Sequence, residues 1–210
     1  LAATAICLLV AYPLAYAISR AKPRSQKICI MLTMLPMWMN FLIRTYSIMA
    51  ILEDTGFLNS LLGRIGLPPL HIINTGGAVI FGMVYNYLPY MVLPIYTVLS
   101  KLDNRLLEAS ADLGCTPMQT FFKVVMPLSR SGVVSGVTMV FVPSVSTFYI
   151  SQKLGGGKFQ LIGDVIERQF QSAYNYNLGA AMSLVLMVLI LLSLAVMNRY
   201  SDEGEGGLVA

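Results

Sequence analysis

Five apolar stretches dominate this chain: residues 1–19, 28–52, 77–99, 132–150 and 178–198. A helix needs about 20 mainly apolar residues to cross the hydrocarbon of a bilayer, so each stretch is long enough to span. Hydrocarbon satisfies no backbone N–H or C=O group, which leaves only helices or a closed barrel as spanning structures. The lengths, and the absence of alternating ten-residue blocks, select helices. Composition agrees: the chain is 56% hydrophobic and 11% charged, with mean hydropathy +0.70, against about a quarter charged for a soluble domain. The expected fold class is all-α, a polytopic transmembrane helix bundle of about five spans. One membrane domain should cover residues 1–200, and residues 201–210, rich in Gly and acid, should form a disordered tail. Leu1 already lies inside an apolar run, so at least one N-terminal helix is expected to be missing. Residues 1–19 do not resemble a signal peptide, because their basic residues follow the apolar run.

Orientation follows from Lys and Arg in the connectors. Arg20, Lys22, Arg24 and Lys27, then Lys101, Arg105, Lys123 and Arg130, then Arg199 place nine on one side. Arg64, Lys153, Lys158 and Arg168 place four on the other. The side with nine reads as cytoplasmic. It holds the connector 100–131 and the C-terminal tail.

The spans differ in their interruptions. Pro13, Pro36, Pro89, Pro94 and Pro143 fall in the first four, and the last has none. Proline frees a backbone carbonyl, which a bilayer tolerates where neighbouring helices or a wet cavity satisfy it. The first four spans are therefore expected in the interior, and 178–198 as a lipid-facing brace. Gly132 and Gly136 form a small-xxx-small pair suited to close helix packing, with a hinge as the other reading. On the outer side, Phe57 to Ile65 and Ile162 to Phe170 have helical spacing and should form short interfacial helices.

The connector 100–131 is the polar segment that carries a motif. Asp103 is an N-cap type, Leu106, Ser110 and Leu113 share one helical stripe, and Gly114 suits the C′ position. A second helix start follows at once: Thr116 with Gln119 is a capping box, and Pro117 takes the first helical position. The segment reads as two short helices around a Gly114-Cys115-Thr116 corner. Small residues at Ala109, Ser110 and Ala111 should allow close approach of another surface. Glu108 and Asp112 supply carboxylates for charge-assisted bonds.

Glu108-Ala109-Ser110, Gly114, Val124 and Met126-Pro127 resemble the cytoplasmic EAA loop of ABC-importer permeases. Ser110 stands where that family has a second Ala, and Met126 where it has Leu, while Glu108, Gly114 and Pro127 keep the family spacing. The resemblance implies a type I importer permease bundle in the bacterial cytoplasmic (inner) membrane, with this loop facing the cytoplasm. It also implies partners: a homologous permease subunit, two copies of an ABC ATPase that grip the loop, and an extracytoplasmic binding protein. This chain then needs no cofactor, because ATP and Mg belong to the ATPase. The coupling residues it implies are Glu108, Ala109, Ser110, Asp112, Gly114, Thr116, Pro117 and Pro127.

Flanking stretches resemble the polyamine branch of that family, the first permeases of spermidine/putrescine importers. They are Leu35-Pro36-Met37-Trp38 with Asn40 and Ile43 to Tyr46, Leu88 to Tyr96 leading into Lys101-Leu102-Asp103, and Phe148 to Ser151 with Leu161 to Ile166. Related permeases import thiamine, ferric iron, sulfate or molybdate, and these remain the alternative. A polycation calls for aromatic faces and acidic groups. Trp38, Tyr85, Tyr90 and Tyr149 are candidates for an aromatic passage, with Asn40 and Ile48 on a stripe shared with Arg44. The same aromatics also read as interfacial anchors. Acids are missing from every predicted span, whereas Glu53, Asp54, Asp164 and Glu167 lie at outer ends where they favour cation entry. Arg44 has two open readings: a pair with Glu53 or Asp54, or with a carboxylate of the partner permease.

Other chemistries find no support in the residues. Cys7, Cys29 and Cys115 have neither disulfide nor metal spacing, and His71 stands alone. Gly155 to Lys158 fails as a phosphate loop, since Gln152 replaces the required Gly and Phe159 the Ser/Thr. Basic residues do not interleave with aromatics as in nucleic-acid binding. A secondary transporter would place Asp, Glu or His within its spans, and a membrane scaffold would give no reason for the EAA spacing.

Overall fold

The computed structural model describes residues 1–205, and the fold is built from helices joined by short connectors. The first is α1 (Ala2–Ser19). The next apolar run divides into α2 (Pro23–Met34), a 3-10 turn (Leu35–Trp38) and α3 (Phe41–Leu52). Then come α4 (Phe57–Arg64), α5 (Gly76–Ser100), α6 (Asn104–Asp112) and α7 (Pro117–Thr120). A π turn (Phe121–Val125) and α8 (Met126–Leu128) lead into α9 (Arg130–Ser146). The chain continues through α10 (Tyr149–Gly155), α11 (Ile162–Gln171) and α12 (Tyr176–Glu205).

Helix α5 is the axis of the bundle, with α1 and α9 packed most extensively against it. Small side chains bring the backbones together. Ala3, Cys7, Ala11 and Ala15, spaced four apart, form the buried stripe of α1. On α9, a Cβ at Gly132 would lie 2.9 Å from the Pro94 carbonyl oxygen, and one at Gly136 would lie 2.9 Å from the Met91 sulfur. Close packing is thus the role of that glycine pair. Val79, Met91, Val92, Ile95 and Leu99 fill the space between the helices. Helix α12 rests on α9 and α11 and leaves Leu184, Leu189, Leu191 and Leu192 exposed, as a lipid-facing brace should.

Two expected spans are broken. The run 28–52 bends by 96° between its α2 and α3 halves. Pro36 ends the α-helical ladder, and Asn40 starts a new helix by accepting the Leu42 N–H at 2.8 Å. Arg44 reaches back across the bend and donates from Nη1 to the Pro36 carbonyl at 2.9 Å. Within the described residues Arg44 pairs with neither Glu53 nor Asp54. The cation instead adds a second donor to a carbonyl at the break that also accepts the Met39 N–H at 3.2 Å. The run 132–150 stops at Ser146: Thr147 is extended, and α10 begins at Tyr149 after the chain turns. There α11 approaches so closely that a Cβ at Gly163 would lie 2.6 Å from the Thr147 carbonyl oxygen.

The expected outer helices appear as α4 and α11. The expected tail is helical through Glu205, because α12 runs on to that residue, and residues 206–210 lie outside the described chain. His71 sits in its loop with Nδ1 2.8 Å from Asp54 Oδ1.

Gly132→Leu should destabilise the bundle by about 1–3 kcal/mol, because the Pro94 backbone has nowhere to move. Gly63→Leu, with no atom within 4 Å of its added Cβ, should be near neutral. Denaturant titration of the purified protein by circular dichroism measures both.

Candidate functional site

The connector between α5 and α9 folds into a rigid elbow, and each local signal is met. Asp103 accepts the Arg105 N–H at 2.9 Å and starts α6. At its end the Cys115 N–H bonds the Ser110 carbonyl at 3.0 Å and the Gly114 N–H bonds Ala111 at 2.9 Å. These two bonds make a Schellman cap, and Gly114 adopts the φ of +80° that it requires. Thr116 then opens α7 through a reciprocal box: its N–H donates to Gln119 Oε1 at 2.9 Å, and its Oγ1 accepts the Gln119 N–H at 3.3 Å. Pro117 holds the first helical position.

Ser110 closes the elbow. Its hydroxyl lies 2.9 Å from Thr120 Oγ1 and donates to the Leu107 carbonyl at 2.7 Å, tying α6 to α7. Ser110 therefore points inward, whereas Ala109 and Ala111 stay exposed, so only part of the expected small surface is presented. The expected stripe is likewise rotated. Leu107 and Ser110 face the core, while Leu106 and Leu113 are exposed, Leu113 by 85%. Leu113 is the C-cap residue, where the Schellman turn throws its side chain clear of the bundle.

The outer surface of the elbow is an apolar knob in an acidic frame. Leu113 and Met118 project from either side of Gly114, and Glu108, Asp112, Thr116 and Pro117 are exposed around them. Among the described residues the one close contact between a basic side chain and a carboxylate is His71 with Asp54, so Glu108 and Asp112 have no basic partner among those residues. This is a surface with unused hydrogen-bonding and apolar capacity, of the kind that marks a protein contact.

Contacts far apart in sequence root the elbow in the bundle. The Tyr12 hydroxyl is 2.6 Å from Ser129 Oγ, across 117 positions of chain. Tyr12 and Tyr16 both meet the Phe121 ring edge-on, at 5.5 and 5.4 Å between centroids. Arg20 Nη1 donates to Asn104 Oδ1 at 2.6 Å. Pro127 follows the π turn that holds Phe121, and Val125 is fully buried. Tyr12, Tyr16, Arg20, Phe121 and Ser129 carry no motif. The visible hint is Tyr12 and Tyr16 at helical spacing near the basic end of α1.

The expected passage residues scatter. Trp38 is 80% exposed at the bend before α3, and Tyr85 is exposed on α5. Tyr90 packs against the core. Asn40 is the helix cap already described. Ile48 is buried in the chain's own core with Leu52. Tyr149 joins Phe41 and Tyr46, each at 6.0 Å, in an aromatic cluster between α3 and α10.

The family profile described as "Binding-protein-dependent transport system inner membrane component" matches residues 7–203. The chain belongs to this family. It is thus a multi-pass inner-membrane transport component. The spermidine/putrescine transport system permease protein PotB of Haemophilus influenzae is 43% identical over 199 residues, covering 94% of this chain and 70% of that protein. The Escherichia coli PotB is 39% identical over 203 residues, covering 96% and 74%. The inner membrane ABC transporter permease protein YdcU of Escherichia coli is 32% identical over 212 residues, covering 94% and 67%. Among solved structures, a bacterial ABC transporter involved in the import of alginate superposes with a TM-score of 0.73. It is 14% identical and covers 96% of this chain and 76% of that one, so the likeness is one of fold. The same score relates this permease fold to the alginate transporter in complex with its alginate-bound periplasmic protein.

Gly114→Ala should cost about 1–2 kcal/mol, because a Cβ at φ +80° meets the following carbonyl. Amide hydrogen exchange at Cys115 should quicken by roughly tenfold for a loss of about 1.4 kcal/mol.

Proposed function

We propose that this chain is a permease subunit of an ATP-driven polyamine importer. In this reading it forms the translocation path with a homologous permease and receives spermidine or putrescine from an extracytoplasmic binding protein. Two copies of an ATPase, which hold ATP and Mg, grip the elbow on the cytoplasmic face. The observation that carries the reading is the 39–43% identity to spermidine/putrescine permeases over 94–96% of the chain.

The geometry supports the coupling role. Glu108, Ala109, Asp112, Thr116 and Pro117 surround the Leu113–Met118 knob, a surface for the ATPase to hold through apolar contact and charge-assisted bonds. Ser110 and Gly114 keep that surface stiff. Nine Lys and Arg on the elbow's side against four on the other favour its cytoplasmic placement. When the ATPases close, the elbow moves as one piece. Tyr12–Ser129 and the Phe121 contacts carry the displacement into α1, while α9 receives it through Pro127. Both flank α5, so the bundle tilts and the passage changes its side of exposure. ATP shifts the populations only because contacts differ between the two arrangements.

The test is uptake of radiolabelled spermidine by the reconstituted complex with its binding protein. Wild-type complex should accumulate spermidine with ATP. Glu108→Lys should cut uptake at least about tenfold, an effect of lost charge-assisted contact worth roughly 1.4 kcal/mol or more. Accumulation of thiamine, iron or an oxyanion in place of spermidine defeats the polyamine reading. Full uptake by Glu108→Lys defeats the coupling role.

A further inference from the structure

Helices α3 and α10 each begin directly after a break in an apolar run, and they meet at an aromatic cluster. Phe41 and Tyr46 come from α3, and Tyr149 from α10. The Tyr46 and Tyr149 rings stand edge to face at 81°, and Phe41 leans on Tyr149 at 50°. Lys153 lies one helical turn beyond Tyr149 on the same face of α10. Its Nζ sits 5.2 Å from the Tyr46 centroid and 5.8 Å from that of Tyr149. Both distances fall within the roughly 6 Å over which a ring face attracts a cation.

Among the described residues no carboxylate pairs with this ammonium, since the one ion pair is His71 with Asp54. The neighbouring Gln152 instead bonds Glu167 at 2.6 Å. Lys153 is half-buried and Tyr46 is 44% exposed, so the rings hold the ammonium at the edge of solvent.

We propose that Phe41, Tyr46 and Tyr149 form a receptor for a primary alkylammonium group, occupied in this structure by the chain's own Lys153. The inference rests on the polyamine reading for its substrate, because a polyamine terminates in the same –CH2–NH3+ group that Lys153 presents. A surface that accepts one accepts the other. Tethered on α10, Lys153 competes at an effective concentration in the millimolar range. Dilute free amine does not displace it, whereas a polyamine delivered at high local concentration by a binding protein does. Lys153 thereby acts as an internal competitor that reserves the passage for delivered substrate.

The test uses the complete transporter in nanodiscs without binding protein, with labelled spermidine and labelled n-butylammonium as probes. Lys153→Met should tighten binding of both by about tenfold, by removing the tethered competitor. Lys153→Gln serves the same purpose should the Met variant fail to assemble. Tyr149→Leu should weaken both probes by about fivefold, while Tyr149→Phe, which keeps the ring face, should stay within about twofold of wild type. Unchanged binding of both probes to the Lys153 variants overturns the proposal, as does equal damage by Phe and Leu at position 149. The two readings separate cleanly. If wild-type complex imports spermidine but the Lys153 variants bind both probes unchanged, the receptor falls and the polyamine reading stands. If n-butylammonium responds as expected but wild-type complex imports no spermidine, the receptor stands and the substrate is another amine.

Discussion

Hydrocarbon offers no hydrogen-bond partner, so each departure from a continuous helix must be closed by groups within the protein. The Arg44 guanidinium donating to the Pro36 carbonyl is the clearest instance. Pro36 interrupts the ladder, the chain turns by 96°, and a buried cation supplies the donor that water would supply elsewhere. The Asn40 side chain then starts the next helix, a cap worth about 0.5–2 kcal/mol. These contacts add to the Met39 N–H, which also donates to the Pro36 carbonyl at 3.2 Å, and beyond the bend Ile48 and Leu52 of α3 join the core. The same requirement explains a cation in an apolar run that holds no acid. Arg44 is there for a carbonyl.

From that bend the architecture follows inward. The broken runs, α2–α3 and the elbow with α9, surround a straight axis, α5. Alanine and glycine stripes on α1 and α9 let both backbones approach it. Close approach makes the three helices one mechanical unit, because interiors packed at crystal density transmit strain instead of absorbing it. The elbow touches this unit through α1 as well as through its own continuation into α9. Phe121 and Ser129 of the connector meet the ring and hydroxyl of Tyr12, a link that does not run along the chain.

Much of this was legible in the residues. The α1, α5 and α12 spans, the Asp103 and Thr116 caps and the Gly114 turn rest on local periodicity and local hydrogen bonds, which a sequence states directly. The breaks at Asn40 and Thr147 were not legible from hydropathy, since apolar character continues through both arms of each bend. The cap role of Asn40 is legible in hindsight, since Asn ahead of a helical run is a cap type. The rotation of α6 was missed because Leu113 was counted as its last helical residue instead of as part of the turn that ends it. The pairing of Tyr12 with Ser129, or of Lys153 with Tyr46, depends on how distant helices meet. No spacing rule encodes that.

The chain places aromatic faces where a carboxylate would bind a cation more strongly, and the difference suits transport. A carboxylate in an apolar bundle carries a desolvation cost of several kcal/mol when unpaired and holds its cation firmly when paired. A ring face attracts an ammonium by only about 0.5–2 kcal/mol and tolerates being left bare. An alternating passage must release its cargo in one conformation and stand empty in the next. Weak aromatic attraction satisfies both demands, and the outer-end acids lie in the connector after α3 (Glu53, Asp54) or on α11, where Glu167 is half-buried and Asp164 is buried as a helix cap. Two of the cations that enter the structure obey the same logic. Arg44 is held by a carbonyl and Lys153 by tyrosine rings. Neither creates a fixed charge pair that a moving polycation would have to break.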